Sequence, residues 1–237
     1  MKKLVIFSSK KSFVPAIISV CFLLSLGVVL GTRNLPQTSP QKLVWKKPIQ
    51  QYENPNDKRT LKEKAQEVGH YRAVQPPPDL NGYGTLDDLT LKAELIVIAR
   101  ARHNISQVSN DGATVTMNYE MQSEYFYKGR MAQGNLLSVI LPGGLAVFSD
   151  GTSAEIGAPW FKKMINGNTY LLFLNRQDNG LWITTGGPRG VFSIPTSSTN
   201  RKVASHSLIE GDPMARFNDM GVVEFLRTVK HSVESAR

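Results

Sequence analysis

The sequence predicts an all-β body, either a sandwich or a small barrel, with a membrane or signal helix ahead of it and one amphipathic helix behind it. Three observations predict this. Beyond residue 86, short apolar runs rich in branched and aromatic residues alternate with Gly, Asn, Asp and Pro turn signals. No stretch between those runs is long enough for the crossover helices of a parallel sheet. Residues 13–30, FVPAIISVCFLLSLGVVL, carry no charge at all.

The leader comes first. Lys2, Lys3, Lys10 and Lys11 precede the apolar run. A run of this length suits a bilayer-spanning helix, and a basic flank holds the segment before it in the cytoplasm. Residues 1–12 are therefore read as a cytoplasmic basic segment and 13–31 as a transmembrane or signal helix. The helix either stays as a single-pass anchor or is cut after Gly31, where Val29 and Gly31 supply small residues. Either way the rest of the chain lies outside the cytoplasm. The single cysteine, Cys21, sits inside this segment, so the exported part has no thiol for a disulfide or a Cys-rich metal site.

Residues 32–82 are rich in Pro, Gln, Asn and Lys and include Pro76-Pro77-Pro78. Such a stretch buries little apolar surface and reads as a flexible stalk. Within it, 58–68 has good helix formers with Leu61, Ala65 and Val68 at helical spacing, and Asn56 or Asp57 in place to cap it.

The body follows. Leu86 to Lys92 suits a short helical turn with Leu86, Leu89 and Ala93 facing inward. Glu94 to Ala101 is an apolar run consistent with a buried strand. Asn110-Asp111-Gly112 marks a turn. From Ala113 to Phe126 the period is two: Val115, Met117, Tyr119, Met121 and Tyr125 fall on one face and Thr116, Asn118, Glu120, Gln122 and Glu124 on the other. Leu136 to Leu141 ends at Pro142-Gly143-Gly144. Leu145 to Phe148, Thr169 to Leu174, Leu181 to Thr184 and Val191 to Ile194 supply further strands. Residues 195–212 are Ser/Thr-rich and read as a loop. After Asp219, Val222, Leu226, Val229 and Val233 recur at helical spacing, which predicts a helix closing one end of the body or facing a partner.

These residues also carry a resemblance. LDDLTLKAELIVIARA, a long alternating strand ending in Lys128-Gly129, SVILPGG, Gly167 to Leu174 and GGPRGVFSI together resemble a group of uncharacterised exported bacterial proteins. Their barrel is similar to the OB-type barrel of netrin-like and metalloprotease-inhibitor domains. The resemblance implies an OB-like β-barrel over 83–195, with 196–237 as a loop and C-terminal helix. It does not imply protease inhibition by metal chelation, which in the animal inhibitors uses a cysteine that this body lacks.

Charge narrows the function. The chain has 28 basic and 19 acidic residues, a formal +9. Residues 1–31 hold +4 and 32–75 hold +5, which leaves 15 basic and 15 acidic residues in 76–237. A nucleic-acid module concentrates its excess positive charge on the folded surface, so a nucleic-acid partner is not expected.

No G-x-S-x-G, H-E-x-x-H, Walker or G-x-G-x-x-G motif occurs. His70, His103, His206 and His231 are scattered and read as surface residues. No catalytic residue, metal site or cofactor is expected. Asp150 and Glu155 lack calcium-loop spacing. Trp160, Phe161, Lys162 and Lys163 put two aromatics beside two cations. They form either an exposed platform for a polyanion, a glycan or a membrane, or an aromatic plug with its lysines in solvent.

The expectation is a cell-envelope protein, tethered through residues 13–31 or secreted, whose OB-like domain is a non-catalytic binding or structural module. Its partner would be an envelope protein or a polyanionic or glycan ligand, met by the outward residues of 114–124 and the 142–163 loop. An unrecognised envelope hydrolase and a modulator of an extracytoplasmic protease are the alternatives.

Overall fold

A computed structural model describes residue 54 and residues 56–131, 134–196 and 201–236. The basic segment 1–12, the helix expected at 13–31 and the front of the stalk lie outside these residues. Among the described residues no helix is long and apolar enough to cross a membrane.

The described part is mostly β-sheet, in two sheets, with three α-helices. In chain order the elements are α1 (Leu61–Val68), β1 (His70–Val74), α2 (Leu86–Lys92), β2 (Leu95–Val108), β3 (Val115–Lys128), β4 (Leu136–Pro142), β5 (Gly144–Val147), β6 (Ser153–Gly157), β7 (Thr169–Arg176), β8 (Trp182–Thr184), β9 (Val191–Ser193), β10 (Ala204–Ser205) and α3 (Val222–Ser235). The seven-stranded sheet has the order β10-β9-β7-β2-β3-β4-β8. β8 runs parallel to β4 and also pairs antiparallel with β7, which closes a ring through β2, β3, β4, β8 and β7.

Alternation decides what fills the ring. Leu95, Val97, Ala99 and Ala101 of β2 point inward to meet Tyr119, Met121, Leu137, Val139, Leu141, Leu172 and Leu174. The neighbouring residues Ile96, Leu171 and Phe173 point outward yet are equally buried. They lie under α2 and α3, where Phe192, Phe217 and Phe225 pack ring to ring with centroids 4.8–6.1 Å apart. Burying one such ring is worth about 1.5–3 kcal/mol. The terminal helix thus covers the outside of the ring instead of closing its end. The reason is that ELIVIA and TYLLFL are apolar on both faces, and the outer one needs a lid.

The long strand departs from its expected alternation near its end. Ile98 pairs with Tyr125 and Ala99 with Ser123, so Glu124 is an extra residue. Beyond this bulge the faces exchange, and Tyr125 emerges 55% exposed instead of joining Met121 inside.

The rear of the stretch read as stalk is part of the body. Thr60, and not Asn56 or Asp57, caps α1: its hydroxyl accepts from the Glu63 N–H, and the Glu63 carboxylate accepts from the Thr60 N–H, a reciprocal box. β1 lies parallel to β6, giving a three-stranded sheet of order β1-β6-β5. Leu61, Ala73, Val115, Ala146, Ala154 and Ile156 share one core beneath it. This sheet also replaces much of the loop expected over 142–163. Gly144 makes the entry into β5 possible: its φ is 151°, and a Cβ there would come within 2.9 Å of Ser106 Oγ and Val115 Cγ1.

Leu61→Ala tests this assignment. We expect a loss of about 2–5 kcal/mol in denaturant unfolding, whereas a residue on a free stalk would leave stability unchanged.

Candidate functional site

The segment Pro159-Trp160-Phe161-Lys162-Lys163 leaves β6 and crosses one mouth of the ring. Its backbone is stitched to residues 206–208: the Lys162 N–H donates to His206 O at 2.8 Å and the Leu208 N–H to Trp160 O at 2.9 Å. Two tyrosines hold its far end. Tyr119 donates its hydroxyl to Met164 O at 3.1 Å, and Tyr170 accepts from the Ile165 N–H at 2.7 Å. Burial raises the pKa of both phenols.

The aromatics do not make an exposed platform. Phe161 is buried in the ring core, and Trp160 is half-buried with its indole N–H on Gln75 O at 3.1 Å. Lys162 and Lys163 are exposed. The physical reason is the open ring mouth, which a pair of large apolar side chains fills.

His206, read from the sequence as a surface residue, is instead 1% exposed. It sits between the rings of Phe161 and Tyr170, with centroids at 5.8 and 5.2 Å. Its Nδ1 lies 2.5 Å from Lys162 O and its Nε2 lies 2.7 Å from Ser193 Oγ. A carbonyl oxygen can only accept, so Nδ1 carries the proton. In the neutral ring Nε2 is then an acceptor, and the Ser193 hydroxyl donates to it. Burial holds the imidazole neutral and brings its pKa down to about 4; the Lys162 carbonyl opposes this shift and the Lys162 charge adds to it. Of the other histidines, His103 and His231 are exposed and His70 is half-buried, with Nδ1 2.7 Å from Ser153 Oγ.

Ser193 ends β9 and is paired with Tyr170 on one side and Ala204 on the other. It lines a cleft of about 300 Å³ with Lys162, Asn168, Thr169, Lys202 and Ala204. Thr169 is buried, and its hydroxyl has no hydrogen-bond partner among the described residues. The Ser193–His206 pair thus stands beside this cleft.

An ion pair fixes the chain just past His206. Asp212 Oδ2 accepts from Arg189 Nε at 2.9 Å and from the Ser207 hydroxyl at 2.6 Å, and Oδ1 accepts from the Met214 N–H at 2.8 Å. Arg189 also reaches Leu80 O and Tyr83 O. Burial would raise the Asp212 carboxyl, but the hydroxyl, guanidinium and amide donors outweigh it and hold it below the usual range.

Sequence reasoning missed Ser193, His206 and Asp212. No local spacing marks them, because β9, β10 and the crossing segment meet only in the fold. Among the described residues no three or more His, Cys, Asp or Glu side chains are grouped to hold a metal ion. No protein-family model matches the chain, and no curated protein matches it.

His206 predicts a pH dependence. Its folded pKa, about 4, lies below its ordinary value of 6.5, so the unfolded chain binds the extra proton between these values. Stability is full above pH 6.5 and falls as the pH drops toward 4, by about 3 kcal/mol in all. Denaturant unfolding across that window measures it, and His206→Gln should flatten the slope.

Proposed function

We propose that the chain is an exported, membrane-tethered envelope protein whose body is an OB-type barrel that binds a polar polymer on one open sheet face. The ring of pairings supports the OB-type reading. β2, β3 and β4 form a meander, and β8 returns parallel to β4 and antiparallel to β7, a partly open Greek-key closure. The likeness to exported bacterial proteins with netrin-like barrels, carried by the turn and core motifs, points the same way.

The observation that carries the binding reading is the outer face of β2, β3 and β4. α2 and α3 cover the start of β2 together with β7 and β9, and leave this part open. Thr116, Asn118, Glu120 and Gln122 lie across it beside Ile105, which is 46% exposed. Asn118 Oδ1 is buried and has no hydrogen-bond partner among the described residues. The face offers amides, hydroxyls and the aliphatic side chains of Ile105, Leu136 and Ile140, with little net charge. This suits an uncharged envelope glycan better than a polyanion. OB-type barrels bind oligosaccharides on such a face.

The tether reading rests on the uncharged run 13–30 behind four lysines. Deleting residues 13–31 should move the protein out of the membrane fraction, and protease added outside the cell should digest the full-length body. Retention of the deleted form on membranes counts against the tether.

For the face, the full-length protein in detergent should co-sediment with insoluble envelope glycan. The pair Ile105→Asp and Asn118→Ala should weaken retention about tenfold or more, at unchanged melting temperature. Unchanged retention would remove this face as the binding surface.

A further inference from the structure

We propose that Ser193 and His206 form the nucleophile–base pair of an acyl-ester hydrolase, with the adjoining cleft as its substrate pocket. The proposal is independent of the sheet face above. Three observations carry it. The tautomer is dictated: Lys162 O fixes the Nδ1 proton, so Nε2 accepts from Ser193 at 2.7 Å. An orienting acceptor on Nδ1 is the arrangement that prepares an imidazole to take a serine proton, here with a carbonyl where other sites use a carboxylate.

The two partners also differ in access. His206 is sealed between Phe161 and Tyr170, while Ser193 borders the cleft. A bond serving packing alone needs no such opening. The third is the rim. Lys162 and Lys202 border the cleft, and among the described residues the Lys202 ammonium has a loose, exposed pairing with Asp219 at 3.8 Å.

The reaction follows from these groups. Nε2 takes the Ser193 Oγ proton as Oγ bonds to the ester carbonyl carbon. The bond from that carbon to the leaving oxygen breaks, and the departing alcohol takes the proton from His206. Water then attacks the acyl-serine with His206 again as base, releasing a carboxylic acid and restoring the hydroxyl. A cleft of about 300 Å³ limits the substrate to a small acyl ester. The two lysines select one bearing a carboxylate or phosphate.

The test uses the full-length protein in detergent with a fluorophosphonate probe and two p-nitrophenyl esters, one neutral and one carrying a carboxylate. Peptide mass spectrometry should find the phosphonate on Ser193. Ser193→Ala should abolish labelling and ester turnover at an unchanged melting temperature. His206→Gln should slow both by about 10²–10⁴-fold. Lys202→Glu, away from the reacting atoms, should lower turnover of the charged ester relative to the neutral one. Because His206 is a core residue, the Ser193→Ala result decides the nucleophile even if the histidine variant does not fold. Absence of label on Ser193 in folded protein, or labelling that survives Ser193→Ala, overturns the proposal.

Discussion

The structure depends on two strands that are apolar on both faces. β2 and β7 pair over six residues, from Leu95 opposite Leu174 to Arg100 opposite Thr169. A strand with one apolar face needs one covering layer; these need two. Curling the sheet supplies the first, since Val97, Leu172 and their neighbours then face one another across the ring. The helices supply the second, with Phe225 and Val229 of α3 laid over Ile96 and Phe173. Ring closure, the position of the terminal helix and the open face left on β3 and β4 all follow from this double demand.

Curling a sheet leaves its ends open, and the same logic carries over to the mouth. Trp160 and Phe161 fill it, and filling it brings the backbone of Lys162 into the interior. A buried carbonyl needs a donor. The His206 Nδ1–H provides one, and that bond leaves Nε2 facing Ser193. The geometry that turns His206 Nε2 toward Ser193 is thus a by-product of plugging the ring. The Arg189–Asp212 pair serves the same end from the other side. With side chains 12% and 1% exposed, it ties the 207–214 loop back to the segment before α2. Losing one member would strand the other's charge, at a cost of about 3–5 kcal/mol.

Much of the fold was legible because periodicity and turn chemistry are local. The Asn110-Asp111-Gly112 hairpin, the Pro142-Gly143-Gly144 corner and the inward set Leu86, Leu89 and Ala93 lie where residue pattern puts them. Composition misled over 60–74. That stretch is polar by count, yet it needs only Leu61, Ala65 and Ala73 to dock, because β6 offers a free edge and a small apolar floor. Tyr125 was misplaced for a related reason: a one-residue bulge reverses every face beyond it and leaves no mark in the pattern. The candidate site was the least legible part. Trp160 and Phe161 stood out as a cluster, but their sense, inward or outward, is decided by whether a cavity awaits them.

The sequence by itself determined the β-rich class, the helix at the C-terminus, most of the strands and the concentration of positive charge ahead of the body. Each of these follows from neighbours within a dozen residues, where backbone preference and side-chain period act. Only the tertiary structure decided that the strands close on themselves, that α3 lies across the outside, and that Ser193 and Lys162 meet the buried His206 beside one cleft. Those outcomes depend on which apolar faces meet after the chain has folded back over more than forty residues. No local preference encodes such a meeting; it is set by the requirement that buried surface and buried polar groups both find partners.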